Sequence, residues 1–200
     1  MDNYWDKLMN DDEGAATYME SYGEGPGSPL RYKIGSLLKS EDWVLDVGCG
    51  PGWNFDHFLT YGPAVYYRGT DYSKRFIRVA SRRVAPLKIF KIGDVRKIDE
   101  PDSSFDVVIL QDVLEHTNGY EKSLKEALRV AKKRVIVTFW RMRDVDDDEI
   151  NNDGNDGWGA AYSRSKWEKF LDLLDLHWLH DEIPRKDSKW DIYVIDKEKK

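Results

Sequence analysis

Three glycines at alternate positions, Gly48, Gly50 and Gly52, lie in the run Asp46-Val47-Gly48-Cys49-Gly50-Pro51-Gly52. Glycine has no Cβ, so a backbone built this way turns tightly and admits a ligand at close range. A helix that begins at such a turn presents free N–H groups to an anion, a carboxylate for example. Further along stand Asp71, Asp94 and the pair Gln111-Asp112. A carboxylate at the end of a second strand, as Asp71 is expected to be, accepts hydrogen bonds from both hydroxyls of a ribose, although an aspartate there also suits a helix cap. Asp94, after Gly93, is placed to accept an adenine amino proton, or else serves a plain turn. Taken together, these residue types offer to bind a nucleoside with an anionic arm.

The spacing separates one nucleoside class from another. A dinucleotide fingerprint reads G-x-G-x-x-G or G-x-G-x-x-A. Here the third glycine comes one residue early, and Trp53 occupies the position that the pattern reserves for a small residue. A bulky indole there hinders close approach of helix to strand and pyrophosphate. The run also lacks the Gly-Lys-Ser/Thr ending of a phosphate loop. Both NAD and ATP lose ground.

The elements able to hold these residues alternate. Trp43 to Val47 is an apolar strand that ends at the glycine turn. Phe55 to Tyr61 suits a short helix, and Val65 to Thr70 a second strand ending at Asp71. Ser73 is placed to cap a helix running to Ala85, with Phe76, Ile77, Ala80 and Val84 spaced along one face. Lys88–Ile92, Phe105–Leu110 and Arg134–Trp140 read as strands three to five, with a helix over Tyr120–Ala131. Phe105–Leu110 is nearly all apolar, as expected where helices cover both sides of a parallel sheet. Asp144–Gly159, rich in Asp, Asn and Gly, reads as a long loop. Tyr162–Leu174 returns to helix, and two last strands, near 176–183 and 190–195, flank a turn at 184–188. Upstream, Ser28-Pro29 reads as the start of a helix reaching Lys39. The pattern means an α/β fold: a doubly wound, mostly parallel sheet with a C-terminal antiparallel hairpin, preceded by N-terminal helices. No linker divides it, so one domain is expected over 1–200. Its parts are a helical cap at 1–40, a ligand-binding core at 41–140, an acidic variable loop at 141–161, and a helix and hairpin at 162–200.

Hydrophobic residues make up 40% and charged residues 34%, which suits a globular protein. A net charge of −6 counts against a protein that lives on phosphate contacts, so nucleic acid is not the expected partner. Cys49 is the only cysteine; no intramolecular disulfide can form, which suits a reducing compartment. There is no secretory pattern at the N-terminus, and no apolar run of about 20 residues that would span a bilayer. The cytoplasm is therefore the expected location and a membrane is not an expected partner. Lys74, Arg75, Arg78 and Arg82 line the outer side of one helix, better explained as a solvated face than as an RNA patch. The acidic run from Asp144 fails the calcium-loop pattern, with Glu149 where Gly is needed and Asn155 where Glu is needed, and no metal site is expected.

Val44–Gly52 closely resembles motif I of the class I S-adenosylmethionine-dependent methyltransferases. Gly69–Ser73 resembles the family's acidic motif, Gly93-Asp94-Val95 its third motif, and Phe105–His116 its fourth, in the style of the small type-11-like members. The resemblance covers Glu41 to Trp140 in order and register. It implies a seven-stranded sheet with an antiparallel last strand, and S-adenosylmethionine as cofactor, leaving S-adenosylhomocysteine as product. Gly48 and Gly50 would border the methionine moiety, around Cys49, with Asp46 supporting the turn. Asp71 would hold the ribose and Tyr72 pack on adenine. Asp94 would meet the adenine amino group, Val95 its ring face, and Gln111 the sulfonium through its backbone. His116, after the fourth strand, is the candidate general base, or else an ordinary packing histidine; Glu115 is a weaker candidate. His57, His177 and His180 read as structural, and Cys49 is not expected to act as a nucleophile. Tyr4, Trp5, Tyr18 and Tyr22 suggest an aromatic lid over a cationic sulfonium, or rings that simply pack extra helices. The expected acceptor is a small molecule, methylated at O, N or C. RNA or protein acceptors, and a cofactor-binding module without turnover, stand as alternatives. If the acidic loop is a lid, its charge favours an amine-bearing substrate.

Overall fold

Side chains of the central strands alternate between two apolar layers, as the period of two along a strand requires. In β1 (Trp43–Val47), Val44 faces one layer while Leu45 and Val47 face the other. The same division separates Val107 and Ile109 from Val108 and Leu110 in β4 (Phe105–Gln111), and Ile136 from Val135 and Val137 in β5 (Ala131–Phe139). These are features of the computed structural model, which describes residues 4–8, 11, 14, 17, 25–84, 87–152 and 157–197.

With β2 (Tyr66–Asp71), β3 (Phe90–Ile92), β9 (His177–Arg185) and β10 (Ser188–Asp196), these strands form a seven-stranded sheet. Its order is β3-β2-β1-β4-β5-β10-β9. β1 runs parallel to both β2 and β4, whereas β10 is antiparallel to β5 and β9. Strand order therefore reverses at β1. Val47 pairs with Thr70 on one side, and Asp46 with Ile109 on the other, so the ends of β1, β2 and β4 open onto one crevice. That is where doubly wound sheets bind ligands.

Helices cover both faces. α2 (Pro29–Ser36), α3 (Trp53–Thr60) and α4 (Lys74–Arg83) contribute Leu30, Ile34, Phe58 and Ile77 to one layer. α5 (Glu121–Val130) and α6 (Arg164–Leu173) contribute Leu124, Ala127, Trp167 and Leu171 to the other. Ahead of them, α1 is the short helix Tyr4–Leu8. Ser73 caps α4 as expected, accepting from Phe76 N–H at 3.2 Å. No helix among the described residues is long and apolar enough to cross a membrane.

The acidic segment departs from the expected loop. β7 (Glu149–Asn152) pairs antiparallel with β8 (Trp158–Ser163), and β6 (Met142–Arg143) pairs with the end of β8, making a second, three-stranded sheet. The reason is twofold. The acids find cations: Asp144 meets Arg164 at 2.7 Å, Asp147 meets Lys166 at 2.7 Å, and Glu149 meets Arg143 at 2.5 Å. The small residues Ala160 and Ala161, with Tyr162, bury one side of β8. Consequently α6 begins at Arg164, later than Tyr162, under a Ser163 cap. α2 stops at Ser36, short of Lys39. Asp153 and Asp156 lie outside the described residues.

His180, Glu182 and Asp191 gather beside β9 and β10, the one such group with metal-ligand atoms close together among the described residues. A guanidinium already fills it: Arg164 lies 2.8 Å from Asp191 and 2.9 Å from His180 Nε2.

Candidate functional site

The glycine turn is locked by its neighbours. Gly48 and Cys49 donate their N–H groups to Thr70 O at 2.7 and 3.0 Å, tying the turn to the end of β2. Gly48 has φ +77°, and a Cβ there would stand 2.3 Å from Val113 Cγ2, so both conformation and packing demand glycine. At Gly50, φ is +54° and an added Cβ would meet nothing within 4 Å, because this position opens onto the cavity. Gly52 differs from the expectation of an open cradle: its missing Cβ faces Phe90 Cζ at 2.9 Å, and it serves helix packing.

Asp71 joins the turn to α4. Its Oδ2 accepts from Gly50 N–H at 2.9 Å and its Oδ1 from Ser73 N–H at 2.7 Å. A carboxylate offers roughly four lone-pair sites, so two remain for a diol. Burial pushes its carboxyl up to about 6, against the opposing N–H groups of Ser73 and Gly50. An open cradle at Gly50 beside this carboxylate fits a nucleoside with an amino-acid arm.

Tyr72, Asp94, Val95 and Gln111 all line the same cavity. Asp94 has a partner that the sequence did not announce: Arg96 grips both its oxygens, at 2.9 and 2.7 Å. Burial would raise this carboxyl, but the hydrogen bonds and charge of Arg96 outweigh it and hold it low. The guanidinium of Arg96 also lies 5.9 Å from the ring of Tyr72. Asp46 is fully buried and stands outside the cavity wall. It accepts from Tyr67 Oη at 2.6 Å and Asn54 Nδ2 at 3.1 Å. Burial raises it to about 6, opposed by those two donors. Asp112 has φ +55°, uncommon for a non-glycine residue, and is held by Thr138, whose hydroxyl donates to Oδ1 at 2.6 Å.

The other end of the cavity is aromatic. His116 packs edge-to-face on Trp5 at 4.7 Å, and its Nδ1 lies 3.3 Å from Trp158 O. Burial lowers its pKa, with Trp158 O opposing, so the ring is neutral near pH 7. Glu115 is fully buried, stands outside the cavity lining and accepts Trp140 N–H at 2.8 Å. Burial, reinforced by the charges of Asp71 and Asp46, keeps the Cys49 thiol protonated. His57, His177 and His180 stand outside the cavity lining; His57 Nδ1 meets Pro26 O at 2.7 Å. Trp5 also packs on Phe76 at 6.3 Å, and the next residue, Asp6, accepts from Ser73 Oγ at 2.6 Å and Arg75 N–H at 3.1 Å. α1 is thereby clipped over the cavity; Tyr18 and Tyr22 lie outside the described residues. Among the lining residues that the sequence did not single out for the site are Arg31, Asn54, Arg96 and Trp158. Only Trp158, a lone indole in a polar stretch, carried a visible signal.

Sheet order, glycine turn and buried strand-end carboxylate define a nucleoside-binding α/β domain. Residues 45–139 match the family described as the methyltransferase domain. An uncharacterized methyltransferase of Schizosaccharomyces pombe is 33% identical over 105 residues, which are 48% of this chain and 38% of that protein. Phosphatidylethanolamine N-methyltransferase of Cereibacter sphaeroides is 28% identical over 136 residues, 64% of this chain and 66% of that one. The match thus spans less than two thirds of either relative's length. Among solved structures, Burkholderia thailandensis 1,6-didemethyltoxoflavin-N1-methyltransferase, with bound 1,6-didemethyltoxoflavin and S-adenosylhomocysteine, superposes with a TM-score of 0.67 at 15% identity, covering 92% of this chain and 87% of that one. Residues 45–139, just under half of the chain, carry a methyltransferase domain of the class I S-adenosylmethionine-dependent kind. The cofactor of that family is S-adenosylmethionine.

Proposed function

We propose that this protein transfers the methyl group of S-adenosylmethionine to a small-molecule acceptor, at oxygen, nitrogen or carbon. The observation that carries this is the 2.9 Å hydrogen bond from Gly50 N–H to Asp71 Oδ2 at the mouth of an open cavity. Asp71 holds the ribose, Gly48 and Gly50 admit the amino-acid arm, and Tyr72 and Val95 flank the adenine. When bound, the cofactor supplies an activated methyl on a sulfonium, a neutral leaving group once transfer is done. The chain's own contribution is alignment and exclusion of water. Orientation alone supplies as much as about 7–11 kcal/mol of a barrier in favourable cases.

His116 takes the proton from an oxygen or nitrogen acceptor. With Nδ1–H donating to Trp158 O, its Nε2 keeps the lone pair that a base needs. Trp5 and Trp158 wall the same end with flat apolar surface, which suits a planar or weakly polar acceptor. Asp144, Asp147 and Glu149 are engaged with Arg164, Lys166 and Arg143 and do not line the cavity, so they give no reason to expect a cationic substrate.

Calorimetric titration with S-adenosylmethionine and S-adenosylhomocysteine tests the cofactor; a wild-type protein that binds neither sinks the proposal. An acceptor screen follows, reading S-adenosylhomocysteine release, with amines and nitrogen heterocycles first because of the acceptors named for the two relatives above. His116→Gln is expected to lower turnover about 10²-fold or more while leaving S-adenosylhomocysteine affinity unchanged. Full turnover in that variant would return His116 to a packing role.

A further inference from the structure

One face of β8 runs from the cavity into the core. The period of two along a strand puts Trp158, Ala160 and Tyr162 on the same side. Trp158 lines the cavity, whereas Ala160 and Tyr162 belong to the apolar layer that α5 and α6 cover. Tyr162 is fully buried, its ring edge-to-face on Tyr120 at 4.9 Å. A buried phenol needs a partner for its hydroxyl. This one donates to Leu114 O at 2.9 Å and to Thr117 O at 3.2 Å, one proton shared between two carbonyls. Burial raises its pKa, so near neutral pH the hydroxyl keeps the proton that it donates.

Those two carbonyls bracket His116. Leu114–His116 is a single turn of 3₁₀ helix, an element with poor hydrogen-bond geometry of its own. It follows Asp112, whose φ of +55° turns the chain out of β4. Side chains then hold it: Thr117 Oγ1 donates to Leu114 O at 2.7 Å, Glu115 accepts Trp140 N–H, and Tyr162 reaches in from β8. The imidazole itself meets the other end of β8, with Nδ1 at 3.3 Å from Trp158 O. A carbonyl only accepts, so this contact requires the proton on Nδ1. One strand therefore grips both the turn and the ring that the turn carries. The second grip is already longer than the usual range of about 2.7–3.2 Å, so a drift of a few tenths of an ångström in the turn forfeits it.

We propose that Tyr162 is a positioning residue for methyl transfer: its hydroxyl holds the Leu114–His116 turn where the imidazole keeps Nδ1–H on Trp158 O and leaves Nε2 free for the acceptor's proton. This rests on reading His116 as the base. Without the strap the ring samples both tautomers, and the form protonated at Nε2 has no lone pair to offer there.

Nitrogen-15 NMR of the full chain, labelled at histidine, reads the tautomer without an acceptor. The chain has four histidines, and His116→Gln assigns the His116 signals by their loss. At pH 7.5 the wild type is expected to carry the His116 proton on Nδ1 alone. Tyr162→Phe keeps the ring that packs and removes only the hydroxyl. It is expected to show both tautomers and ring N–H exchange about tenfold faster or more. Leu171→Ala, a fully buried side chain of α6 in the same layer, should lower the urea midpoint and leave the His116 signals unchanged. A purely structural Tyr162 would make the phenylalanine variant behave like Leu171→Ala, and that result overturns the proposal. Should Tyr162→Phe fold poorly, the wild type decides: a single Nδ1–H tautomer with a slowly exchanging Tyr162 hydroxyl proton supports the proposal, and mixed tautomers overturn it. The two readings fail apart. Unaltered His116 signals in Tyr162→Phe remove the strap and leave His116 as the base, whereas full turnover in His116→Gln removes the base and, with it, the strap's part in catalysis.

Discussion

Asp71 carries two opposite pH dependences in one side chain. Its folded pKa of about 6 lies above the ordinary 3.8, so the folded protein holds this proton more tightly than the unfolded chain does. The stability it contributes is present below about 4 and is lost as pH rises toward 6. Ribose binding runs the other way, because the carboxylate accepts from hydroxyls best when ionised. S-adenosylhomocysteine affinity is therefore expected to fall about tenfold from pH 7.5 to pH 5, where roughly a tenth of the group is ionised. Asp71→Asn should bind weakly and lose that slope. Titrations at both pH values check this; a wild-type affinity that is flat in pH would take Asp71 out of the site. Asp46 shares the same window for stability, since burial raises it to about 6 as well.

α1 shows how a short element gains a role from one side chain. Five residues make a marginal helix in isolation. Asp6 fastens it by accepting Ser73 Oγ and Arg75 N–H, at the N-terminal end of α4 where a negative charge is favourable by about 0.3–1 kcal/mol. That clip holds Trp5 against Phe76 and His116 at the cavity. Asp6→Ala is expected to raise the dissociation rate of S-adenosylhomocysteine several-fold, measured by stopped-flow fluorescence. An unchanged rate would mean that α1 only packs. The strands β6 to β8 make the complementary point. Their acidic, glycine-rich sequence hides a sheet, because the partners that neutralise Asp144 and Asp147 are Arg164 and Lys166, in a helix about twenty residues on.

The molecule as a whole is held by two apolar layers on one sheet. Trp167 is fully buried, with its ring near those of Tyr120, Phe139 and Tyr193 at 5.1, 5.0 and 5.6 Å. Truncating it opens a large cavity in the layer away from α2, α3 and α4. Trp167→Ala should cost about 3–5 kcal/mol, seen as a lower urea midpoint. The proposed ligand residues lie at the strand ends, so folded variant protein should keep its affinity for S-adenosylhomocysteine.

Order along the chain was enough to settle the sheet class and the glycine turn. Apolar runs of period two or fully apolar character, interrupted by helices, leave few arrangements, and Gly48 and Gly50 have positive φ that other residues rarely adopt. The spacing likewise placed Asp71 at the end of β2, next to that turn. What folding alone decided depends on partners distant in sequence. Arg31, 15 residues before Asp46, shares its charge environment only once α2 docks beside α3. Trp158 reaches His116 only because β8 crosses the strand ends. Periodicity records which face of an element is apolar; it holds no record of which charge or ring from another element will meet that face.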